Sequence, residues 1–268
     1  MKFDLHTHHE RCGHAQGDIE AYIQAAIEHG LQVIGIADHS PYFHREEDHP
    51  SPRITMAKSQ FPDYINDVLH LKEKYANEIE VLLGIECDYF PGKMAPYQEA
   101  LKRYPFDYII GSVHFVEDIS IFKKGRWEGL TQDQKVKTKE AYYQLIEQSA
   151  NSGMFQILGH IDAMKGFYPE FSAIETEVID TTLQIIGEKQ IAIEINTSGK
   201  TKDSGGWYPS DDILERALHH NVPVTFGSDA HTPKRVGDEF DEVRARLKEI
   251  GFQKWGFFKN KQMHEVSL

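Results

Sequence analysis

Seven short runs of apolar, largely β-branched residues recur along this chain, and most of them finish on a side chain that can bind a metal. They are KFDLH (2–6), VIGIAD (33–38), VLLGIE (81–86), YIIGSVH (108–114), FQILGH (155–160), IAIEIN (191–196) and VPVTFGSD (222–229). All are short and mostly apolar on both faces, the pattern of strands in a parallel sheet covered on both sides. Longer amphipathic segments fill the gaps. The spacing predicts helices over about 18–28, with Gly30 just past the end, and over about 61–75 and 131–149. The last of these opens on a Thr131–Gln134 capping-box spacing and is followed by Gly153. Further helices are expected after Ser172, after Ser210 and over about 236–250, with a short one near 95–103. Strand and helix alternating in this way, over 268 residues, point to an α/β fold: a (β/α) barrel or a doubly wound sheet. Two stretches fall outside the repeat, 40–58 and 115–130, and are expected to be long loops with functional roles.

The strand ends carry the chemistry. The first run ends at His6 with His8 beyond it, the second at Asp38 and His39, and the third at Glu86. The fourth ends at His114, the fifth at His160, the sixth at Asn196, and the seventh at Asp229 with His231 beyond. In a parallel barrel all carboxyl ends of the strands face one mouth, so residues far apart in sequence meet there. Any one of these residues alone is most simply a hydrogen-bonded polar group or a helix cap. Together they would be costly to bury unless something paired with them, and metal ions are the economical partner. His6 and His8 lie two residues apart on an extended strand, so their rings point to the same side. An ion takes roughly four to six ligands, so this many candidates suggests two or three divalent ions. Nitrogen plus carboxylate ligation suits zinc, manganese or iron better than magnesium or calcium.

Composition narrows the partners. Lys plus Arg number 29 against 42 Asp plus Glu, a net charge of −13, which argues against a basic face for duplex nucleic acid. A bound cation can still reverse the sign of a pocket and admit an anionic substrate. Two cysteines, Cys12 and Cys87, are too few for a disulfide scaffold and are expected to be free thiols in a reducing compartment. The opening residues lack the apolar run of a signal peptide and no stretch is long enough to span a bilayer, so a cytoplasmic location is expected.

The ordered set HTH (6–8), His14, DHS (38–40), GIE (84–86), SVH (112–114), GHID (159–162) and GSDAH (227–231) resembles the motifs of the polymerase-and-histidinol-phosphatase (PHP) family across nearly the whole chain. HxxCGHA (9–15), ADHSP (37–41) and INTSG (195–199) resemble its histidinol-phosphate phosphatase branch. The resemblance implies one domain over 1–268, a distorted (β/α)7 TIM-like barrel with the metal site at the carboxyl ends of the strands. It also implies a trinuclear centre. His6, His8, Glu86 and Asp229 would hold one ion, Glu86 would bridge to a second held by His114 and His160, and His14, His39 and His231 would hold the third.

The expected activity is metal-dependent hydrolysis of a small-molecule phosphate monoester, histidinol phosphate above all, as a step of histidine biosynthesis. A hydroxide made available near neutral pH would be the nucleophile and Asp229 a candidate for proton transfer. Another phosphoester (a nucleotide, an oligonucleotide end or a phosphotyrosine protein) and a non-catalytic metal-binding module are the alternatives. A phosphate dianion invites cations at the rim. Lys165 after GHID, and Lys200 and Lys202 after NTSG, are candidates, with Thr201 standing where the resemblance leads one to expect arginine. His44, His49 and Arg53 in the 40–58 loop could cover the pocket. Asp4, Asp38 and Asp162 lie beside candidate ligands and could orient imidazoles or serve as turn residues. His9, Glu10 and Cys12 read as neighbours of the site rather than ligands.

Overall fold

The computed structural model describes residues 1–268. In chain order the elements are β1 (Phe3–Asp4), α1 (Ile19–Glu28), β2 (Val33–Ile36), α2 (Phe61–Lys74), β3 (Glu80–Leu83), β4 (Glu86–Asp88), α3 (Ala95–Leu101), β5 (Ile110–Ser112), β6 (Phe115–Val116) and β7 (Ile119–Ser120). Then come α4 (Gln132–Asn151), β8 (Ile157–Leu158), α5 (Val178–Glu188), β9 (Ala192–Asn196), α6 (Asp211–His219), β10 (Val224–Gly227), α7 (Phe240–Ile250), β11 (Lys254–Lys259) and β12 (Gln262–Ser267). No helix is long and apolar enough to cross a membrane.

Every expected run supplies a strand, and the fold is α/β with parallel sheets. One sheet has the order β1-β2-β3 and the other β10-β9-β8-β5-β4, with all neighbours parallel. The run VLLGIE, expected as a single strand, breaks at Gly84 into β3 and β4 and so serves both sheets. Tyr108 accounts for the break. Its ring fills the space beside Gly84, where a Cβ would lie 2.4 Å from its Cζ, and its hydroxyl donates to Leu5 O at 2.5 Å. The sheets also touch directly. Leu5 N donates to Phe226 O (3.1 Å), His8 N to Ala230 O (2.9 Å), and Thr7 pairs with Ala230 in a parallel bridge. At the other junction His39 pairs with Glu86, Gly84 N donates to Ile36 O (2.8 Å) and Asp107 N to Leu83 O (2.8 Å).

The helices follow the apolar periodicity with two corrections. Asp18 caps α1 by accepting from Ala21 N at 2.9 Å, and Thr131 and Gln134 form the reciprocal capping box of α4. The helix expected after Ser172 begins only at Val178. The carbonyls of Phe171 and Ile174, which a helix there would use, instead accept from the buried ammonium of Lys139 at 2.9 and 2.7 Å. The helix expected from 236 begins at Phe240, because Pro233–Arg235 form a separate 3-10 turn and Glu239 has a positive φ of 61°. The 115–130 stretch is not wholly irregular: β6 and β7 pair as a small antiparallel hairpin, followed by a 3-10 turn at Lys124–Trp127.

The C-terminal hairpin β11–β12 has no counterpart among the expected elements. Its inner strand buries Trp255 against Phe3 and Phe240, with ring centroids 4.9 and 4.7 Å away. Its turn docks on Asp107, whose carboxylate accepts from Asn260 N (3.1 Å) and whose carbonyl accepts from Lys261 N (2.7 Å). Truncating a fully buried tryptophan removes its burial energy and leaves a cavity. Trp255→Ala is therefore expected to cost about 3–5 kcal/mol in urea unfolding, while the folded fraction keeps its metal content, since the hairpin stands away from the strand ends that carry the histidines.

Candidate metal centre

The carboxyl ends of the strands bring the expected residues together. His6 and His8, alternate residues after β1, point the same way, with ring centroids 4.9 Å apart. Glu86 opens β4 at the junction of the two sheets and faces them: its Oε2 lies 3.5 Å from His6 Nε2, 3.7 Å from His8 Nε2 and 2.8 Å from His39 Nδ1. Its Oε1 lies 3.1 Å from His160 Nε2 and 3.6 Å from His114 Nε2, so one carboxylate faces two groups of imidazoles. Asp229 Oδ1 sits 3.0 Å from His8 Nε2. His14 and His231 meet through their Nε2 atoms at 2.9 Å, and His114 and His160 through theirs at 3.2 Å. His39 lies between the groups, its ring 4.4 Å from that of His8 and 5.3 Å from that of His14.

These atoms crowd together without satisfying one another. The Nε2 atoms of His6 and His8 and the Oε2 of Glu86 are buried and have no hydrogen-bond partner. Buried donor atoms gathered without partners are what a cation needs, once the histidines give up their protons. Two nitrogens on one tetrahedral zinc, each about 2.0–2.1 Å from it, would be about 3.3 Å apart, close to the separations at His114–His160 and His14–His231. Four sets place their donor atoms within 4.8 Å of one another: His6, His8 and Glu86; His39, Glu86 and His114; His8, His39 and His231; and His8, Cys12 and Asp38. The residues present thus fit two or three divalent ions.

A ring of carboxylates turns the outer imidazole nitrogens into donors. Glu194 accepts from His6 Nδ1 at 2.6 Å, Asp38 from His8 Nδ1 at 3.1 Å, and Asp88 from His114 Nδ1 at 2.8 Å. Each partner fixes the tautomer and leaves Nε2 free to coordinate. Among the aspartates considered from sequence, only Asp38 does this, and it also takes Nδ1 of His9. Asp4 accepts backbone N–H groups of His6, Ser228 and Gly237 instead, and Asp162 takes Ser210 N and the ammonium of Lys165. Cys12 donates its thiol to His9 O at 3.2 Å, and burial pushes its pKa up, so it is a packed thiol.

Charge divides the histidines. Burial alone would lower His8, but Asp229 and Asp38 outweigh it and raise its pKa to about 9. His114 is likewise brought up to about 9 by Asp88 and Glu86 against its burial. His14 goes down to about 4 and His231 to about 3, through burial and then neighbouring imidazoles. Burial would raise Glu86 and Asp229, yet the surrounding imidazoles hold both well below the usual carboxylate range.

Above the cluster opens a cavity of about 620 Å³. Phe115, Phe122, Phe167 and Tyr208 form apolar walls, and Arg53, Lys202 and Arg235 bring cations to it. Lys202 and Arg53 were expected here; Arg235 was not, and its only sequence signal is its position soon after GSDAH. Four other candidates lie elsewhere. Lys165 is buried away from the cavity, its ammonium 2.7 Å from both Asp162 Oδ2 and Trp207 O. Lys200 is exposed and paired with Glu239. His44 stacks on Tyr97 and bonds its hydroxyl at 2.8 Å. His49 bonds Thr55 O at 2.8 Å, fastening its own loop rather than lining the cavity.

Known proteins resemble this chain in sequence and in fold. The PHP domain profile matches residues 4–198. A Deinococcus radiodurans protein named "Probable histidinol-phosphatase" is 31% identical over 92% of this chain and 93% of its own. The histidinol-phosphatase of Bacillus subtilis is 28% identical over 92% of this chain and 99% of its own. The solved histidinol phosphate phosphatase of Lactococcus lactis, in complex with zinc, L-histidinol and phosphate, superposes with a TM-score of 0.80 over 98% of both chains at 20% identity, a likeness of fold.

A histidine must be unprotonated to coordinate. At pH 7 His8 and His114 still carry their protons in the metal-free protein, because both titrate near 9. Adding zinc or manganese to chelator-stripped protein at pH 7 is expected to release about two protons or more per chain into weak buffer, and the release should shrink as the starting pH rises through 9. Metal uptake with no proton release would contradict this electrostatic picture.

Proposed function

Because the chain belongs to the PHP domain family, we propose that it is a metal-dependent phosphomonoesterase that converts histidinol phosphate and water to histidinol and phosphate. The observation that carries this reading is the convergence of His6, His8, His14, His39, Glu86, His114, His160, Asp229 and His231 at the base of a cavity lined by cations. In the proposed ligand set, His6, His8, Glu86 and Asp229 hold one ion, Glu86, His114 and His160 a second, and His14, His39 and His231 a third. The closeness of His39 to Glu86 supports a short span between the sets. The same reading joins the two sheets into one distorted (β/α)7 barrel over residues 1–268, supported by the backbone bridges at both junctions. A cytoplasmic location is in keeping with two buried free cysteines.

Zinc, manganese or iron held there would make hydroxide available near neutral pH and stabilise the charge on a phosphoryl group. The chain's own part is orientation and charge. Asp229 is ionised throughout the neutral range, and Asn196 Nδ2 and Ser198 Oγ pin its Oδ2 at 3.2 and 2.9 Å. That leaves Oδ1 as the oxygen to ligate or to relay a proton. Arg53, Lys202 and Arg235 offset the dianion of a phosphate ester at the entrance. Lys202 lies over the faces of Phe122 and Phe167, 5.7 and 5.8 Å from their centroids, which holds it beside the cavity without a carboxylate partner. The aromatic walls suit the flat imidazole of the substrate.

The test is a panel of phosphomonoesters with protein purified without chelators, then stripped and reloaded with Zn²⁺ or Mn²⁺. Histidinol phosphate should give the highest kcat/KM. A stronger preference for nucleotides or phosphotyrosine would replace the substrate, and no turnover on any ester would favour a binding module. Losing even a residue that only orients a ligand costs 10–100-fold in such sites, so His114→Ala and Asp229→Ala should each lose more than about 100-fold in kcat. Arg235→Ala, which removes one charge-assisted contact, should act mainly through KM, raising it about 10-fold or more.

A further inference from the structure

Glu194 is the only charged residue in the run IAIEIN, and it is 1% exposed. Its place in β9 puts it two residues before Asn196, on the same side of the strand. Its two oxygens have three partners. Oε1 accepts from His6 Nδ1 at 2.6 Å, while Oε2 accepts from the backbone N of His160 at 3.2 Å and from Asn196 Nδ2 at 3.0 Å. Asn196 Nδ2 also donates to Asp229 Oδ2 at 3.2 Å. One buried carboxylate therefore touches, directly or through one amide, the chain ends of β1, β8 and β10.

A motif glycine leaves room for it: a Cβ at Gly227 would lie 1.9 Å from Glu194 Oε1. His160 has φ +28°, an unfavourable backbone for a residue with a side chain, and Glu194 holds the N–H of that turn.

We propose that Glu194 is the positioning residue of this centre: it sets the His6 tautomer so that Nε2 faces the ions, and it fixes His160 and Asp229 in register with it, without coordinating a metal itself. The proposal rests on the metal-centre reading above. It separates the ligands, since Glu194 acts on those assigned to two ions and touches neither His14 nor His231.

The test uses Glu194→Gln, which keeps the size and removes the charge. Wild-type and variant proteins are stripped, then titrated with Zn²⁺ against a chelating dye, with elemental analysis of the dialysed product. The variant should bind the ions of the His6 and His160 sets 10–100-fold more weakly and keep binding at the His14 and His231 set. Its kcat should recover as free metal is raised, and its urea unfolding midpoint without metal should stay near that of the stripped wild type, which a generally loosened fold would not allow. A folded variant with wild-type affinity and stoichiometry overturns the proposal. Should the variant fail to fold, nitrogen NMR of histidine-labelled wild-type protein decides: His6 should carry its proton on Nδ1, and a proton on Nε2 in the loaded protein overturns the assignment. Wild-type protein that binds metal but hydrolyses no ester would sink the phosphatase reading and leave this one standing.

Discussion

The pairing of buried carboxylates with buried imidazoles is the constraint around which this molecule is built. Glu86, Glu194, Asp38 and Asp88 lie buried at one end of the parallel strands with His6, His8, His9, His39 and His160, and Asp229, His114 and His231 stand partly buried beside them. Burying so many ionisable groups would be prohibitive if each stood alone. Here each of these carboxylates lies beside an imidazole, and at Asp38, Glu86 and Asp229 that attraction outweighs burial, which would neutralise the carboxylate. The arrangement has two layers. Outer carboxylates satisfy the Nδ1 side of His6, His8 and His114, and inner atoms are left facing one another. The first layer makes the second possible, because a fixed tautomer is what turns a crowded set of rings into a set of donors.

The scaffold supplies the convergence. Seven apolar runs carry residues from distant parts of the sequence to one rim, and the helices and the C-terminal hairpin bury the remaining faces. Tyr108 sets the shape at the break in VLLGIE, and the resulting junction is where Glu86 emerges. The cavity above draws its cations from three separate loops, those carrying Arg53, Lys202 and Arg235, so its entrance can change without disturbing the base.

Much of this was legible in the sequence. Strands covered on both faces have no polar side, so they stand out as unbroken apolar runs, and a histidine or carboxylate closing each run is conspicuous. The supporting residues were harder to see. Glu194 is a single charge inside an apolar run, a weaker signal than Asn196 at the strand end. Asp88 follows Glu86 by two residues on the same strand and carries no motif of its own. The cations were the least legible. Lys165, Lys200 and Lys202 are equivalent in sequence, yet the carbonyl of Trp207 and Asp162 take the first, Glu239 takes the second, and only the third reaches the cavity. Long side chains choose among several partners, and that choice is made by tertiary contacts. The hairpin at the C-terminus was invisible for a related reason: its outer strand is largely exposed and polar, so it lacks the two-faced apolar signature of the others.

The bridges Thr7–Ala230 and His39–Glu86 lie at the two junctions between the sheets, and each falls among the clustered histidines and carboxylates. The side chains flanking one junction are His6, His8, Asp229 and His231, and those flanking the other are His39 and Glu86. The cluster therefore straddles both seams at once and acts mechanically as a rivet. Any hinge motion between the sheets must first pull the donor atoms apart, and anything that draws those atoms together clamps the sheets. Rigidity of the whole body and readiness of the chemistry are, in this chain, the same variable.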